Sequence, residues 1–154
     1  MKLKIPILII YLILLANCGF KLTDLQSNYY ITEINSSGDK RINYKLKTKL
    51  LSSSKEKSKN VLLLNINSQK EKIIKEKNIS NEITKYEIIV TTKIEYKKLS
   101  DNKFNKFTVV KKGDYNIASK YSDTLNNEKS LVNTLIENLS EEIFENLSIK
   151  FNDL

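Results

Sequence analysis

The sequence predicts an α+β fold: a two-layer α/β sandwich in which a four-stranded, mainly antiparallel sheet carries two helices packed on one face. Three observations lead to this prediction. Segments with strand and helix patterns follow in the order strand, helix, three strands, helix. Polar and apolar residues alternate from Tyr86 to Lys97, as in a strand with one buried face. Large apolar residues recur every four positions from Leu131 to Leu147, as on the buried side of a helix.

The first strand and the first helix are predicted from the segment that begins at Tyr29. Residues 29–34 are rich in aromatic and β-branched side chains, and strict alternation puts on one face Tyr29, Ile31 and Glu33. Asp39 can cap the next helix, because a carboxylate accepts hydrogen bonds from free backbone N–H groups. The helix then has an apolar stripe, formed by Ile42, Leu46 and Leu50.

Three further strands are predicted, separated by two polar turns at residues 78–81 and 100–103. The first runs from Val61 to about Lys77, and the second is the alternating segment that contains Tyr86. In the third strand, one face is predicted to hold Phe107, Val109, Tyr115 and Ile117. Short turns between successive strands favour an antiparallel meander.

A basic and then apolar leader precedes this domain. Residues 5–16 would span about 18 Å as a helix, whereas the core of a bilayer needs about 30 Å. A charged start followed by so short an apolar run is typical of a removable export signal. We therefore expect residues 1–17 to be a lipoprotein signal peptide, residues 18–28 a lipidated tether, and residues 29–154 a single domain.

Cys18 is the only cysteine in the chain. The segment 15–18 resembles the bacterial lipobox, although the lipobox pattern prefers Gly, Ala or Ser where this chain has Asn17. The resemblance implies a covalent diacylglyceryl and N-acyl lipid on Cys18, and several acyl chains hold a protein stably on a membrane. The alternative is an ordinary thiol packed in a core.

Charge and composition restrict the partners and the chemistry. The chain carries a formal net charge of +8, which falls to +6 when the two lysines of the leader are removed. This balance favours anionic partners such as lipid phosphates, and export argues against nucleic acid. Because the charge is almost entirely lysine, with Arg41 the only arginine, a bias toward A- and T-rich codons is an alternative explanation.

Catalytic side chains are scarce. The chain has no histidine, one cysteine and three glycines, which excludes a histidine-based triad and a glycine-rich phosphate loop. The acidic residues Glu137, Glu141 and Glu142 have the spacing of an ordinary helix surface. We therefore predict a protein that is not an enzyme, with no catalytic residues, no metal site and no cofactor besides the lipid on Cys18.

The lipobox and the order of elements resemble the lipopolysaccharide-assembly lipoprotein LptE. The local similarities lie at residues 18–21, 38–43, 46–50, 86–96 and 115–119. The resemblance implies a noncatalytic lipoprotein anchored to the outer membrane on its periplasmic side. Its partners would be lipopolysaccharide and an LptD-like β-barrel of the outer membrane, within which it would sit as a plug and an assembly partner.

The resemblance also directs attention to lysines and exposed aromatic residues. The lipopolysaccharide-binding residues predicted on this basis are Lys97, Lys98, Lys103 and Lys106. A second candidate cluster consists of Lys70, Lys72, Lys75 and Lys77. Edge lysines that merely deter strand-to-strand aggregation are the alternative in both cases. Side chains predicted to line the wall of the barrel are Tyr29, Tyr30 and Phe104.

Two other classes of function stay open at this point. A periplasmic lipid-binding or transport accessory lipoprotein would need a hydrophobic groove between the sheet and the helices. An anchored hydrolase would need acidic residues clustered in a cleft.

Overall fold

The computed structural model describes residues 28–54, 58–101 and 103–152. The leader, Cys18 and all of the predicted tether except Asn28 lie outside the described residues. The elements in chain order are β1 (Tyr29–Gly38), α1 (Lys40–Ser52), β2 (Asn60–Lys77), β3 (Ile83–Lys98), β4 (Phe104–Asn116) and α2 (Tyr121–Asn152).

The strands form one sheet in the order β1-β2-β3-β4. The pairs β2–β3 and β3–β4 are antiparallel, whereas β1 pairs with β2 in parallel because α1 carries the chain back to the end where β1 began. Both helices pack on the face that buries Leu64, Ile88 and Ile94. The predicted α+β sandwich with a mainly antiparallel sheet is therefore confirmed, and we call the opposite side of the sheet the open face.

Strict alternation in β1 was a wrong prediction. Tyr29 and Ile31 are buried, but so is Ile34, while Glu33 is exposed. The register with β2 shifts between Ile31 and Glu33, where one extra residue interrupts the ladder. Such a bulge moves every later side chain of the strand to the other face.

The join between β1 and α1 is fixed by Gly38 and Asp39. Gly38 has a φ of +87°, and a Cβ built on it would lie 2.1 Å from the carbonyl oxygen of Ser68. The Asp39 N–H donates to that same oxygen at 2.8 Å. The Asp39 carboxylate then accepts from the backbone N–H groups of Arg41 and Ile42, both at 3.0 Å, which confirms the predicted cap.

The turn between β2 and β3 is built by asparagines, as predicted. The side-chain oxygen of Asn78 accepts from the backbone N–H groups of Ser80 and Glu82 at 3.0 and 2.9 Å. Asn81 adopts a φ of 63°, a conformation that asparagine tolerates better than most residues.

Of the side chains predicted to share one face of β4, Val109 and Tyr115 are buried and Phe107 packs partly buried against the core. Ile117 lies one residue beyond the strand, which ends at Asn116. The N–H of Ile117 still donates to the carbonyl of Thr84 at 2.9 Å, but its side chain is at the surface.

Helix α2 lies across the sheet and supplies much of the core. The predicted stripe is buried at Leu135, Leu139, Ile143 and Leu147 and continues to Phe151, whereas Leu131 is half-buried. A close approach of α2 to β4 is possible because Gly113 lacks a side chain, and a Cβ there would lie 2.8 Å from the Cδ1 of Leu131. The helix begins at Tyr121, ten residues before the apolar repeat by which the sequence reveals it.

Candidate functional site

The described chain enters the sheet at the end where β1 begins. The carbonyl of Asn28 accepts hydrogen bonds from the Oγ of Ser58 at 2.5 Å and from the Nδ2 of Asn60 at 2.9 Å. At the same end, the N–H of Leu99 donates to the carbonyl of Val61 at 2.8 Å. The β3–β4 turn therefore lies beside the point from which the chain leads back toward residue 18.

The four lysines predicted to bind lipopolysaccharide are divided between the two sides of the sheet. Lys97 and Lys106 share the open face, because Lys97 lies opposite Phe104 and Lys106 lies opposite Glu95 in the ladder. Lys98 follows Lys97 along β3 and therefore points to the helix side. Lys103 lies in the turn before β4 and is exposed. The structure brings Lys97 and Lys106 together and separates Lys98 from them.

On the helix side, Lys98 lines a surface cavity of about 470 Å³ with side chains from β3 and the end of α2. Lys150, another residue of this cavity, holds its ammonium group 5.7 Å from the ring centre of Tyr96. Lys150 was not predicted from the sequence, because its position 52 residues after Lys98 gives no local sign of the contact.

The second predicted cluster is occupied by ion pairs with the fold's own carboxylates. The ammonium of Lys72 lies 2.7 Å from a carboxylate oxygen of Glu128 on α2 and 4.2 Å from the ring centre of Tyr86. Lys70 approaches the same carboxylate at 3.6 Å. The hydroxyl of Tyr115 donates to Glu128 at 2.8 Å, so this carboxylate joins β2, β4 and α2.

The pKa values of this group follow from these contacts. The hydrogen bond from Lys72 lowers the pKa of Glu128, although partial burial acts in the opposite direction. Partial burial by itself lowers the pKa of Lys72, but its hydrogen bonds to Glu128 and Tyr115 outweigh this effect and raise the pKa to about 12. Both groups are thus held in their charged forms, as in a structural ion pair and unlike a catalytic acid.

The rest of the second cluster is also paired. Lys75 lies 3.0 Å from Asp114 and 3.5 Å from Glu87, and the hydrogen bond from Lys75 lowers the pKa of Asp114. The ammonium of Lys77 donates to the side-chain oxygen of Asn81 at 3.0 Å. These lysines stabilise the β2–β3 hairpin and offer less net positive charge to a ligand than their number suggests.

Of the three aromatic residues predicted to be exposed, Tyr29 is buried and that prediction was wrong. Its ring packs 6.1 Å from Phe144 and 6.0 Å from Phe151 on α2, and burial raises the pKa of its hydroxyl. Tyr30 is partly buried. Phe104 is 59% exposed on the open face, with the ammonium of Lys97 5.5 Å from its ring centre.

A polar groove on the open face was not predicted from the sequence. The Nδ2 of Asn35 donates to the side-chain oxygen of Asn65 at 3.4 Å, and the Nδ2 of Asn67 donates to the Oγ of Ser37 at 2.8 Å. The cavity measures about 470 Å³, and its lining also includes Gln69, Lys93 and Glu95. The alternation of Asn65, Asn67 and Gln69 was the available signal. These amides can hydrogen-bond a polar ligand but supply no nucleophile or proton-transfer group.

The space between the sheet and the helices is filled by side chains. Residues that are at most 2% exposed there include Leu62, Ile66, Ile88, Ile136 and Leu139. A surface cleft of about 290 Å³ lies between the helices, beside Lys45, whose ammonium donates to the side-chain oxygen of Asn133 at 2.5 Å. These observations give no specific support to the lipid-carrying alternative.

The acidic residues of α2 serve contacts between elements. Glu137 lies 3.4 Å from Lys49 of α1, and Glu142 lies 2.5 Å from Lys111 of β4. Within residues 28–54, 58–101 and 103–152, no three or more His, Cys, Asp or Glu side chains are grouped so that they could hold a metal ion. In the same part of the chain, neither helix combines the length and the apolar character needed to cross a bilayer.

No protein-family model matches this chain, and no curated protein matches it by sequence. Solved structures do resemble it. Rare lipoprotein B from Shewanella oneidensis has a TM-score of 0.62 at 13% identity, over 79% of this chain and 97% of its own. A Caulobacter crescentus protein described as a lipoprotein has a TM-score of 0.59 at 11% identity, over 84% and 93%.

Lipoprotein B from Nitrosomonas europaea is also similar, with a TM-score of 0.52 at 16% identity over 84% of this chain and 90% of its own. These likenesses extend over nearly the whole of each solved domain. The chain therefore has the fold of these three lipoprotein structures, and the fold implied by the LptE resemblance is confirmed.

Proposed function

We propose that this chain is a lipid-anchored lipoprotein of the LptE type, which acts without catalysis as a plug and assembly partner of an outer-membrane β-barrel. One observation carries the proposal: a sandwich fold shared with rare lipoprotein B follows, in the same chain, a segment that resembles the lipobox. In this proposal Cys18 bears the lipid, and the domain stands on the periplasmic side of the outer membrane.

A structural role agrees with the chemistry of the described residues. The groups with perturbed pKa values near Glu128 and Asp114 belong to ion pairs that join elements of the fold. The polar groove beside Asn65 offers amides and no activated nucleophile. Binding and support of a partner need only such a rigid surface.

The open face is the surface we assign to the barrel and to lipopolysaccharide, because the helices already cover the other side of the sheet. Phe104 offers an exposed aromatic ring at one end of this face, and aromatic rings are frequent in protein contacts. Lys97 and Lys106 are diagonal neighbours across β3 and β4, roughly 7–8 Å apart at the backbone. Two ammonium groups at this spacing suit the phosphates of lipopolysaccharide.

A crosslinking pull-down from native membranes tests the proposed partner. A tagged full chain should recover one large β-barrel protein, and Phe104→Glu should reduce that recovery several-fold because it puts a charge into the contact. Tyr121→Glu is the matched control, since Tyr121 is 76% exposed on α2, on the helix side of the sheet with Tyr86 and Glu128. Recovery of no barrel, or equal recovery with both variants, would count against the barrel contact proposed here.

A further inference from the structure

The lysines at the two ends of the sheet differ in their partners. At the end of the β2–β3 turn, which we call the hairpin end, Lys70, Lys72, Lys75 and Lys85 form ion pairs with carboxylates of the fold, and Lys77 donates to Asn81. At the end where β1 begins, Lys97 and four further lysines lie within 4.0 Å of no described carboxylate, and these four are Lys59, Lys98, Lys103 and Lys150. We call these four lysines, with the Leu99 that lies among them, the basic end.

Several contacts place the basic end in one region. Lys98 and Lys150 line the same cavity, with Asp101 of the β3–β4 turn. Lys59 precedes Asn60, which pairs with Tyr29 in the ladder. Asp101 lies in the same turn, and its carboxylate accepts from the backbone N–H of Lys103 at 3.2 Å. Four lysines against this one aspartate give this set of described residues a net positive charge.

The basic end also exposes an apolar side chain. Leu99 is 61% exposed in the β3–β4 turn, although its backbone is held by the hydrogen bond to Val61. A protruding leucine surrounded by lysines has the chemistry of a membrane-surface contact, in which the apolar group enters the interface and the ammonium groups meet anionic headgroups.

The N-terminal segment leads to this same end. Eleven residues, 18–28, reach at most roughly 40 Å when fully extended, and they join the domain at Asn28 beside the basic end. The hairpin end is farther away, because the 18 residues of β2 extend over about 60 Å. If the strands run perpendicular to the membrane plane above the anchor, Leu99 therefore faces the bilayer and Ile79 faces away from it.

We propose that the basic end lies on the surface of the membrane that holds the anchor, where Lys59, Lys98, Lys103 and Lys150 contact anionic phospholipid headgroups and Leu99 enters the interface. The inference rests on one part of the proposed function, attachment of the chain before Asn28 to a membrane. It adds the orientation of the domain and the lipid class that fixes it.

Tryptophan fluorescence can test this orientation, because the chain contains no tryptophan of its own. The full chain with Leu99→Trp, and separately with Ile79→Trp, is reconstituted into vesicles of brominated phosphatidylcholine with or without phosphatidylglycerol. Brominated acyl chains should quench Leu99→Trp strongly in vesicles that contain phosphatidylglycerol. They should leave Ile79→Trp unquenched, since Ile79 is fully exposed at the opposite end.

Charge variants connect the orientation to the lysines. Adding Lys98→Glu, Lys103→Glu and Lys150→Glu to Leu99→Trp should reduce the quenching several-fold. The same change of charge at Lys112, Lys120 and Lys129, which are exposed on β4 and at the beginning of α2, should leave it unchanged. The inference is overturned if quenching is equal at Leu99→Trp and Ile79→Trp. It is also overturned if quenching at Leu99→Trp does not change when the lysines of the basic end are replaced by glutamate. Either result leaves a protein partner as the occupant of this surface.

Flotation with the uncharged vesicles separates this inference from the proposed anchor. A chain that floats without quenching of Leu99→Trp is anchored in another orientation, so the inference fails while the anchor stands. A chain that floats only with phosphatidylglycerol, and is quenched at Leu99→Trp, lacks the anchor, so the proposed function fails while the contact of the basic end with anionic lipid stands. A chain that floats with neither kind of vesicle contradicts both.

Discussion

The ammonium of Lys72 lies 2.7 Å from the carboxylate of Glu128, although the two residues are 56 positions apart in the sequence. This ion pair connects β2 to α2, and the hydroxyl of Tyr115 adds a third element by donating to the same carboxylate. Because Lys72 also lies over the ring of Tyr86, the two charges are partly shielded from water. The pair therefore fixes the beginning of α2 on the sheet.

Glu128→Gln should make the free energy of unfolding depend less on pH below neutrality. The pKa of Glu128 is lower in the folded chain than its ordinary value of 4.5, so its contribution is complete above about pH 4.5 and is lost as the pH falls through the folded pKa. Loss of one partly exposed pair costs about 1 kcal/mol at neutral pH. Denaturant unfolding from pH 7 to pH 3 should show a smaller decrease for the variant than for the native chain.

Glu137→Gln is the control for that experiment, since Glu137 lies 3.4 Å from Lys49 and both side chains are well exposed. Its pH profile should follow that of the native chain. Parallel profiles for all three proteins would refute a stabilising role for the Glu128 pair.

Gly38→Ala should destabilise the fold strongly, by more than about 1 kcal/mol. Its φ of +87° disfavours any side chain, and a Cβ would collide with the backbone oxygen that accepts the Asp39 N–H. Gly113→Ala is the comparison, because its added carbon meets flexible side chains and no backbone atom, with Leu131 at 2.8 Å and Leu135 at 3.5 Å. The midpoint temperature of thermal unfolding should fall further for Gly38→Ala than for Gly113→Ala. The reverse order would contradict this account of the β1–α1 join.

Elements with a long and regular apolar pattern could be predicted from the sequence, and contacts between distant residues could not. The alternation around Val90 and the repeat around Leu139 correctly identify β3 and α2, since each period matches one secondary structure. The burial of Ile34 was missed because a bulge changes the parity of β1 without any glycine or proline to mark it.

Less of the candidate site than of the fold could be predicted from the sequence. Neighbours in sequence, Lys97 and Lys98, were grouped together, yet adjacent residues of a strand face opposite sides of the sheet. The sequence makes Lys72 a candidate for ligand binding, because its partner Glu128 comes from another element and gives no local sign of the ion pair. Only the tertiary placement of α2 distinguishes a paired lysine from one that can meet a ligand.

Cys18→Ser should abolish labelling of the protein with radioactive palmitate, because the thioether and the processing that depends on it need the sulfur atom. Cells that express the native chain and the variant are compared by labelling and by the mobility of the product, which should keep its leader when Cys18 is absent. Ser27→Ala, a change in the tether that leaves the lipobox intact, should be labelled like the native chain. Persistent labelling of Cys18→Ser would remove the anchor from the proposed function.

Lys97→Glu combined with Lys106→Glu should weaken binding to lipopolysaccharide aggregates at low salt, since the two ammonium groups share the open face beside Phe104. The charge-matched control is Lys120→Glu with Lys129→Glu, in which both side chains are exposed around the first turns of α2 and not on the open face. Surface charges are screened within about 10 Å at 0.1 M salt, so the difference between the variants should shrink as salt is added. Co-sedimentation with the aggregates measures the bound fraction. If both double variants lose the same fraction of binding, net charge and not the Lys97 and Lys106 pair governs the contact.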